Sequence, residues 1–405
     1  MRILFVCPYL PTPRKRRQLN FVLHLARRHE VHLRVLATAG EMRTVAGSAD
    51  LVDRLRSSCA SLALLPVPLP LVLLRGARHW ARGDALRTAY TRAHERWAAR
   101  LNRDCDSLGI DVVHVDRLRL ARLAAAIDRP TVVDLPDCMS WAVEQWASVA
   151  RGARRLLYRE EARRLRRFEG GTLNRCPAAL VASEEDARCV RSSGYRGDTH
   201  YVPGIIDFLA EGVGVAPPAV DGAPRLVFHG NLFYPPNVDA ICSFAREVFP
   251  ALRAEFPSVV LTIVGASPAR RVRRLAGDGI RVVADVEAIA PWLRAATAVI
   301  APMRIGAGHS QKVCEGLLAG RPVICSAHVA QRVDGEVRAR LLVARHPGEW
   351  VQQVGRLIAD PIGAAELGEM GRAAVRASYS AEAVLPLLES VYRRRTAPAP
   401  RVGDD

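Results

Sequence analysis

The chain has 405 residues and a mass of 44.3 kDa, enough for two domains and too much for one ordinary core. Hydrophobic residues make up 49% and charged residues 24%, which excludes a disordered or fibrous protein. The net charge is +17, yet only Lys15 and Lys312 are lysines, so the excess is arginine and fits a GC-rich genome better than a dedicated polyanionic partner. Its distribution says more than its total. Residues 1–205 hold 35 basic and 21 acidic side chains, and residues 206–405 hold 23 and 20.

In chain order, residues 2–7 (RILFVC) form an apolar run that stops at Pro8 and reads as a buried strand. A loop follows, then an amphipathic helix over 17–28 and a second strand over 30–37. Residues 110–115 and 131–134 repeat the strand pattern, and 179–182 precede Ser183, which reads as a helix N-cap. Strands alternating with helices of this length predict a parallel, doubly wound sheet. Residues 206–224, rich in Gly, Pro and Ala, read as a linker. The α/β rhythm then restarts, with strands over 225–229, 259–264, 280–283, 298–301 and 323–325, and helices over 237–255, 288–295 and 310–319. The expected organisation is therefore a first domain over 1–205, a second over 225–380, a helix over 381–395 that returns toward the first domain, and a disordered tail over 396–405.

The nine cysteines are scattered and form no C-x-x-C pair, so neither a zinc site nor a disulfide framework is expected. Together with the absence of a signal-peptide pattern, this points to the cytoplasm. The longest apolar run, Leu62 to Leu74, is shorter than the ~20 residues a bilayer requires and is interrupted by Pro66, Pro68 and Pro70.

The stretch APMRIGAGHSQKVCEGLLAGRPVIC (301–325) carries the most chemistry. A strand ends at Pro302, and a loop containing Gly306 and Gly308 leads into a helix that starts near His309 or Ser310. Backbone amides at a helix N-terminus attract anions, and glycine permits close backbone approach. Lys312 adds a positive charge on the first turn, and Glu315 can accept hydrogen bonds from a ribose diol. The same features also fit a plain helix start with a solvated Lys–Glu pair. In the first domain, Asp134 and Asp137 close a strand, and Asp137 could orient or deprotonate a hydroxyl. Both also fit turn-capping aspartates. His114 reads as a core histidine, Ser140 as a helix cap, and Pro235–Asn237 as a turn with a helix cap.

The 301–325 stretch resembles the donor-nucleotide motif of retaining GT-B glycosyltransferases of family 4, an E-x7-E pair followed by G-x-P-V-I. Glu315 falls on the second glutamate, and the first falls on Ala307. The segment FHGNLFYPPNVDA (228–240) resembles the second-domain opening of the sugar transferases associated with bacterial exopolysaccharide systems. Asn231 and Pro236 stand where most of the superfamily has Arg and Lys. Residues 132–147 (VVDLPDCMSWAVEQWA), 156–169 (LLYREEARRLRRFE), 179–187 and 202–207 resemble that branch in order, while the usual first-loop glycine falls near Pro13.

The resemblance implies two Rossmann-like doubly wound α/β domains facing a cleft, and transfer of a sugar from a nucleotide donor to an acceptor hydroxyl with retention. No metal or other cofactor is implied. Gly230, Asn231, Gly308, His309, Ser310, Lys312 and Glu315 are the expected donor-binding residues. Arg17 and Asp137 are expected at the acceptor, and Asp134, Asp137 and Lys312 in catalysis. The acceptor is expected to be a carbohydrate or a lipid-linked molecule. Losses at Pro13, Asn231, Pro236 and Ala307 also fit a catalytically inactive GT-B protein that binds or activates a partner.

Arginines recur from Arg75 to Arg103 at spacings that place several on one helical face, beside the apolar run and Trp80, Tyr90 and Trp97. This is a membrane-surface signature, so an anionic membrane, on its inner face, is an expected partner. A second arginine cluster over 151–167 reads as a solvated helix face. Nucleic acid is not expected, because no reader module accompanies the charge.

Overall fold

The structure, a computed structural model, describes residues 1–38, 49–206 and 222–396. Most of the expected linker (207–221) and the tail from 397 lie outside the described residues. The chain divides into two compact units. One comprises 1–147, 151–205 and the C-terminal segment from 381. The other comprises 148–150 and 206–380.

Among the described residues, the first unit holds a seven-stranded sheet made of β1 (Arg2–Cys7), β2 (Glu30–Thr38), β3 (Ser61–Val67), β4 (Val112–Asp116), β5 (Thr131–Leu135), β6 (Ala178–Val181) and β7 (Asp198–Tyr201). The order is β3-β2-β1-β4-β5-β6-β7, and every pairing is parallel. Parallel strands need crossovers that cover both faces, which is why β1, β4, β5 and β6 are buried along nearly their whole length, with His114, Asp116, Thr131 and Asp134 as the polar residues of β4 and β5. The helix Arg16–Leu25 packs Leu19, Phe21, Val22 and Leu25 on one face. The helix Ala381–Thr396 packs Val384, Leu385, Leu388, Val391 and Tyr392 into the same core.

The second unit repeats the plan with β8 (Arg225–His229), β9 (Val260–Gly265), β10 (Ile280–Ala284), β11 (Ala298–Ala301), β12 (Val323–Cys325) and β13 (Leu342–Val343), ordered β10-β9-β8-β11-β12-β13 and again parallel. In both units the strand order reverses beside the first strand, between β1 and β4 and between β8 and β11. The two loops leaving such a switch point diverge and open a crevice at the carboxyl ends of the strands.

Several elements differ from the sequence expectation. The apolar run with three prolines is an edge strand, β3, followed by the helix Leu69–Ala81. Pro66 is tolerated because β3 has a neighbour on one side only, and Pro70 because the first helical turn needs no amide donor. The arginines from Arg75 to Arg103 do not share one helix. Gly83, at φ +96°, ends the first helix, and the helix Leu86–Ala89, a 3₁₀ turn over Tyr90–Trp97 and the helix Ala98–Ser107 follow. The helix expected over 237–255 breaks at Val248 into Pro235–Glu247 and Phe249–Glu255. Ser183 does cap its helix, accepting from the Asp186 amide at 3.0 Å.

Candidate functional site

At the switch point of the second unit, β8 ends in His229 and Gly230, and β11 leads through the loop 302–310 into the helix Gln311–Leu318. The carboxyl end of β8 is packed closely against the end of β9, at Gly265, and against Asn237 and Lys312. A Cβ on Gly265 would collide with the Gly230 carbonyl. A Cβ on Gly230, which has φ +139°, would stand 2.9 Å from Asn237 Nδ2 and 3.4 Å from Lys312 Nζ. Glycine at 230 therefore lets the lysine lie along the backbone turn.

Lys312 is partly buried. Its ammonium donates to Asn237 Oδ1 at 3.1 Å and lies 3.8 Å from the centroid of the Phe228 ring. Burial lowers its pKa to about 7, against the opposing pull of Glu315. Asn237 also donates to the Asn231 carbonyl at 2.8 Å. Asn237 is thus not the helix cap expected from the sequence. Tyr234 occupies the cap position, prolines fill the first turn, and the amide side chain instead ties the Gly230–Asn231 loop to Lys312.

Glu315 is buried one turn below Lys312, with Oε2 3.3 Å from His229 Nδ1. The other ring nitrogen of His229 is 3.3 Å from the Lys312 carbonyl. The carboxylate is thereby oriented from β8. Gly316 seats the helix on the sheet, where a Cβ would come within 2.9 Å of Val323 and 3.0 Å of Val299.

Gly306 (φ +146°) and Gly308 (φ +77°) turn the preceding loop. Arg304 fixes it through two bonds to Asp239, at 2.8 and 3.1 Å, and Ser326 donates to the Met303 carbonyl at 2.5 Å. His309 packs edge-on against Tyr379, with centroids 4.5 Å apart, and Ser310 stands at the N-cap without a side-chain capping bond. Asn231 is exposed, and its Oδ1 accepts from the Phe233 amide at 2.9 Å.

A second constellation occupies the switch point of the first unit. The β4–β5 register sets Asp116 beside Asp134 on the face covered by the helix Arg16–Leu25. Arg17 grips Asp134 with two hydrogen bonds, at 2.7 and 2.8 Å, and both residues are enclosed. Burial alone would raise the Asp134 carboxyl, but the Arg17 charge and its bonds outweigh that and hold it below the usual range. Asp116 accepts from Gln18 at 3.0 Å and lies 3.7 Å from Arg117. Burial, with Asp134 adding to it, pushes its pKa up to about 6.

Arg17 Nη1, Gln18 Oε1, His114 Nε2 and Asp116 Oδ2 are buried without a hydrogen-bond partner, an unusual concentration for a protein interior. Asp137 lies beyond the end of β5. It is partly exposed and 3.5 Å from Arg117, whose φ of +77° is rare for a residue with a side chain. Asp137 is therefore open to solvent, whereas Asp134 and Arg17 are closed on each other.

His114 stacks on Phe5 at 4.1 Å and pairs through Nδ1 with the Tyr392 hydroxyl at 2.7 Å, and burial lowers its pKa to about 4. It is a core residue. Ser140 is held by Glu169, which accepts from its amide at 3.0 Å and from its hydroxyl. Sequence reasoning missed His229, Asn237, Asp116 and Gln18. Only the position of His229 beside Gly230 hinted at any of them.

A surface hollow of the first unit, about 720 Å³, is lined by Gly170, Pro177, Gly197, Asp198 and Arg395. It lies where β6 and β7 begin, at the end of the sheet away from these residues. Among the described residues no group of three or more His, Cys, Asp or Glu could hold a metal ion, and no helix is long and apolar enough to cross a membrane.

Two doubly wound parallel sheets, each with polar residues at its switch point, define the fold of the GT-B glycosyltransferases. Residues 223–360, which carry Gly230, Lys312 and Glu315, match the family model described as Glycosyl transferases group 1. HepE of Anabaena, solved in complex with UDP, aligns over 97% of this chain and 100% of its own, with a TM-score of 0.65 and 13% identity. Sucrose-phosphate synthase from Thermosynechococcus elongatus covers 97% and 99%, with a TM-score of 0.66 and 15% identity. The Escherichia coli trehalose-6-phosphate structure bound with UDP-2-fluoro glucose covers 99% and 100%, with a TM-score of 0.65 and 10% identity. No curated protein matches the chain significantly.

Proposed function

We propose that the protein is a retaining glycosyltransferase that moves a sugar, of hexosyl type, from a nucleoside-diphosphate sugar to an acceptor hydroxyl in exopolysaccharide or glycoconjugate synthesis. The observation that carries this reading is the convergence of Gly230, Asn237, Lys312 and the His229-oriented Glu315 at the switch point of the second unit. The UDP and UDP-sugar held by structures of the same fold support a nucleoside diphosphate as its ligand.

In this reading Lys312 and the first-turn amides, with Gly308, His309 and Ser310 shaping the entry, meet the diphosphate. Glu315 takes the ribose diol, and Gly230 and Asn231 line the approach. The ammonium then opposes the charge that grows on the departing diphosphate, and no metal is assigned to that task. Asp137 orients the acceptor hydroxyl. Asp134 and Arg17 act through position, since Arg17 Nε and Nη2 hold both carboxylate oxygens of Asp134 and only Nη1 is left without a partner. The carbohydrate or lipid-linked acceptor would be met at the cytoplasmic membrane surface.

A donor screen with product detection by mass tests the reading. Transfer is expected with one nucleotide sugar, with the anomeric configuration of the donor kept in the product by NMR. Lys312→Ala is expected to lower kcat by on the order of 10²–10³-fold, the cost typical of removing an electrostatic stabiliser. The exposed Asn231 and the Ala307 substitution keep a second reading in view, a GT-B partner protein without catalysis. Nucleotide binding without transfer to any acceptor would favour it.

A further inference from the structure

The first unit exposes large apolar side chains in two neighbouring strips. In the helix Leu69–Ala81, Val72 and Gly76 face inward, while Leu69, Leu73 and Trp80 share one outward strip at i, i+4 and i+11. Leu73 is 63% exposed and Leu74 70%. Arg75, Arg78 and Arg82, at i, i+3 and i+7, form an adjoining strip. The second strip begins the helix Ala153–Gly170. There the buried line Glu161, Leu165 and Phe168 continues backward to Leu157, which is 61% exposed, with Leu156 at 66% beside it.

The strips join. Arg164 donates to the Trp80 carbonyl at 2.7 Å and lies over the Trp80 ring, and Glu161, one turn from Leu157, accepts from the Leu86 amide at 2.7 Å. Leu86 is itself exposed.

Charge selects the occupant. Residues 68–89 and 151–159 together hold eight arginines and one acidic residue, Asp84, which already faces Arg122 and His79. Among the described residues Arg78, Arg82, Arg151, Arg154, Arg155 and Arg159 form no ion pair. Isolated leucines on a nearly acid-free arginine field match neither a nucleic acid, which has no place for leucines, nor a self-complementary copy, which would set arginine against arginine. They match a bilayer interface in which acyl chains accept the leucines and anionic headgroups the guanidiniums.

We infer that these two helices form one docking surface for an anionic lipid bilayer. From the second arginine cluster, Arg151, Arg154, Arg155 and Arg159 belong to this surface, whereas Arg163, Arg164 and Arg166 pair with Glu160 and Glu144. The inference supplies the contact for the membrane-surface part of the proposed function, and it is read without donor or acceptor, so either can fail alone.

The test is co-sedimentation of the full chain with vesicles of phosphatidylcholine containing 30% phosphatidylglycerol, and with pure phosphatidylcholine vesicles. Binding is expected to the first and at least tenfold weaker to the second. Leu73→Glu/Leu74→Glu and Leu156→Glu/Leu157→Glu should each lower binding at least fivefold. Circular dichroism and nucleotide titration should stay unchanged, since all four side chains are exposed. Arg154→Glu/Arg155→Glu should do the same. Equal binding to both vesicles, unaltered binding by either leucine pair, or self-association abolished by the same substitutions would overturn the inference.

Discussion

At the residue scale, the donor-site reading rests on a lysine held partly out of water. Burial lowers Lys312 to about 7, so above that pH the free protein holds mostly the neutral amine. A diphosphate favours the ammonium, so binding must take up a proton. Affinity for a nucleoside diphosphate is therefore expected to fall by roughly tenfold per pH unit above 7. Calorimetry in buffers of different ionisation enthalpy should report a proton uptake near one at pH 8.5 and little at pH 6. Burial shifts Asp116 in the opposite direction, upward. Its folded pKa of about 6 lies above its unfolded value, so the native state binds the extra proton and stability is lost as pH rises from about 4 through 6. Asp116→Asn removes that loss. It should gain about 3 kcal/mol relative to the parent at pH 8 and little at pH 4, read from urea midpoints. Lys312 and Glu315 were legible because a lone lysine follows a glycine loop into a helix. His229 and Asn237 were not, because their partners lie 83 and 75 residues away and only the fold joins them.

Among the elements, those with apolar runs were legible and those with mixed chemistry were not. β1, β8, β11 and β12 begin and end where their apolar runs do. β7 (DTHY) has no apolar run, β13 has two residues, and β3 carries a proline that only an edge position excuses. The helix Leu69–Ala81 was hidden by prolines that belong to its first turn. The helix Gln311–Leu318 depends on close approach to the sheet, which gives a direct test. Gly316→Ala should cost about 1–3 kcal/mol by overpacking against Val299 and Val323, seen as a lower urea midpoint with an unchanged m-value.

On the scale of the whole molecule, two parallel sheets and the return of the last helix to the first unit could be read from the sequence, but the side chains that this helix meets could not. Tyr392 reaches His114 across 278 residues of sequence. Tyr392→Phe should leave a buried ring nitrogen unpaired and cost about 1–3 kcal/mol of stability. Ending the chain at residue 380 should unfold the first unit, since it uncovers the core that Val384, Leu388 and Val391 complete. The charge asymmetry also takes physical form at this scale, with unpaired arginines gathered around exposed leucines in the first unit. The central claim is that the second unit binds a nucleoside diphosphate through Lys312 and Glu315, and calorimetric titration of the full chain with UDP and GDP tests it most directly. One of the two should bind with a stoichiometry of one, and Lys312→Ala and Glu315→Ala should each weaken binding at least tenfold while circular dichroism stays unchanged. No heat with either nucleotide, or full affinity in both variants, would contradict the account.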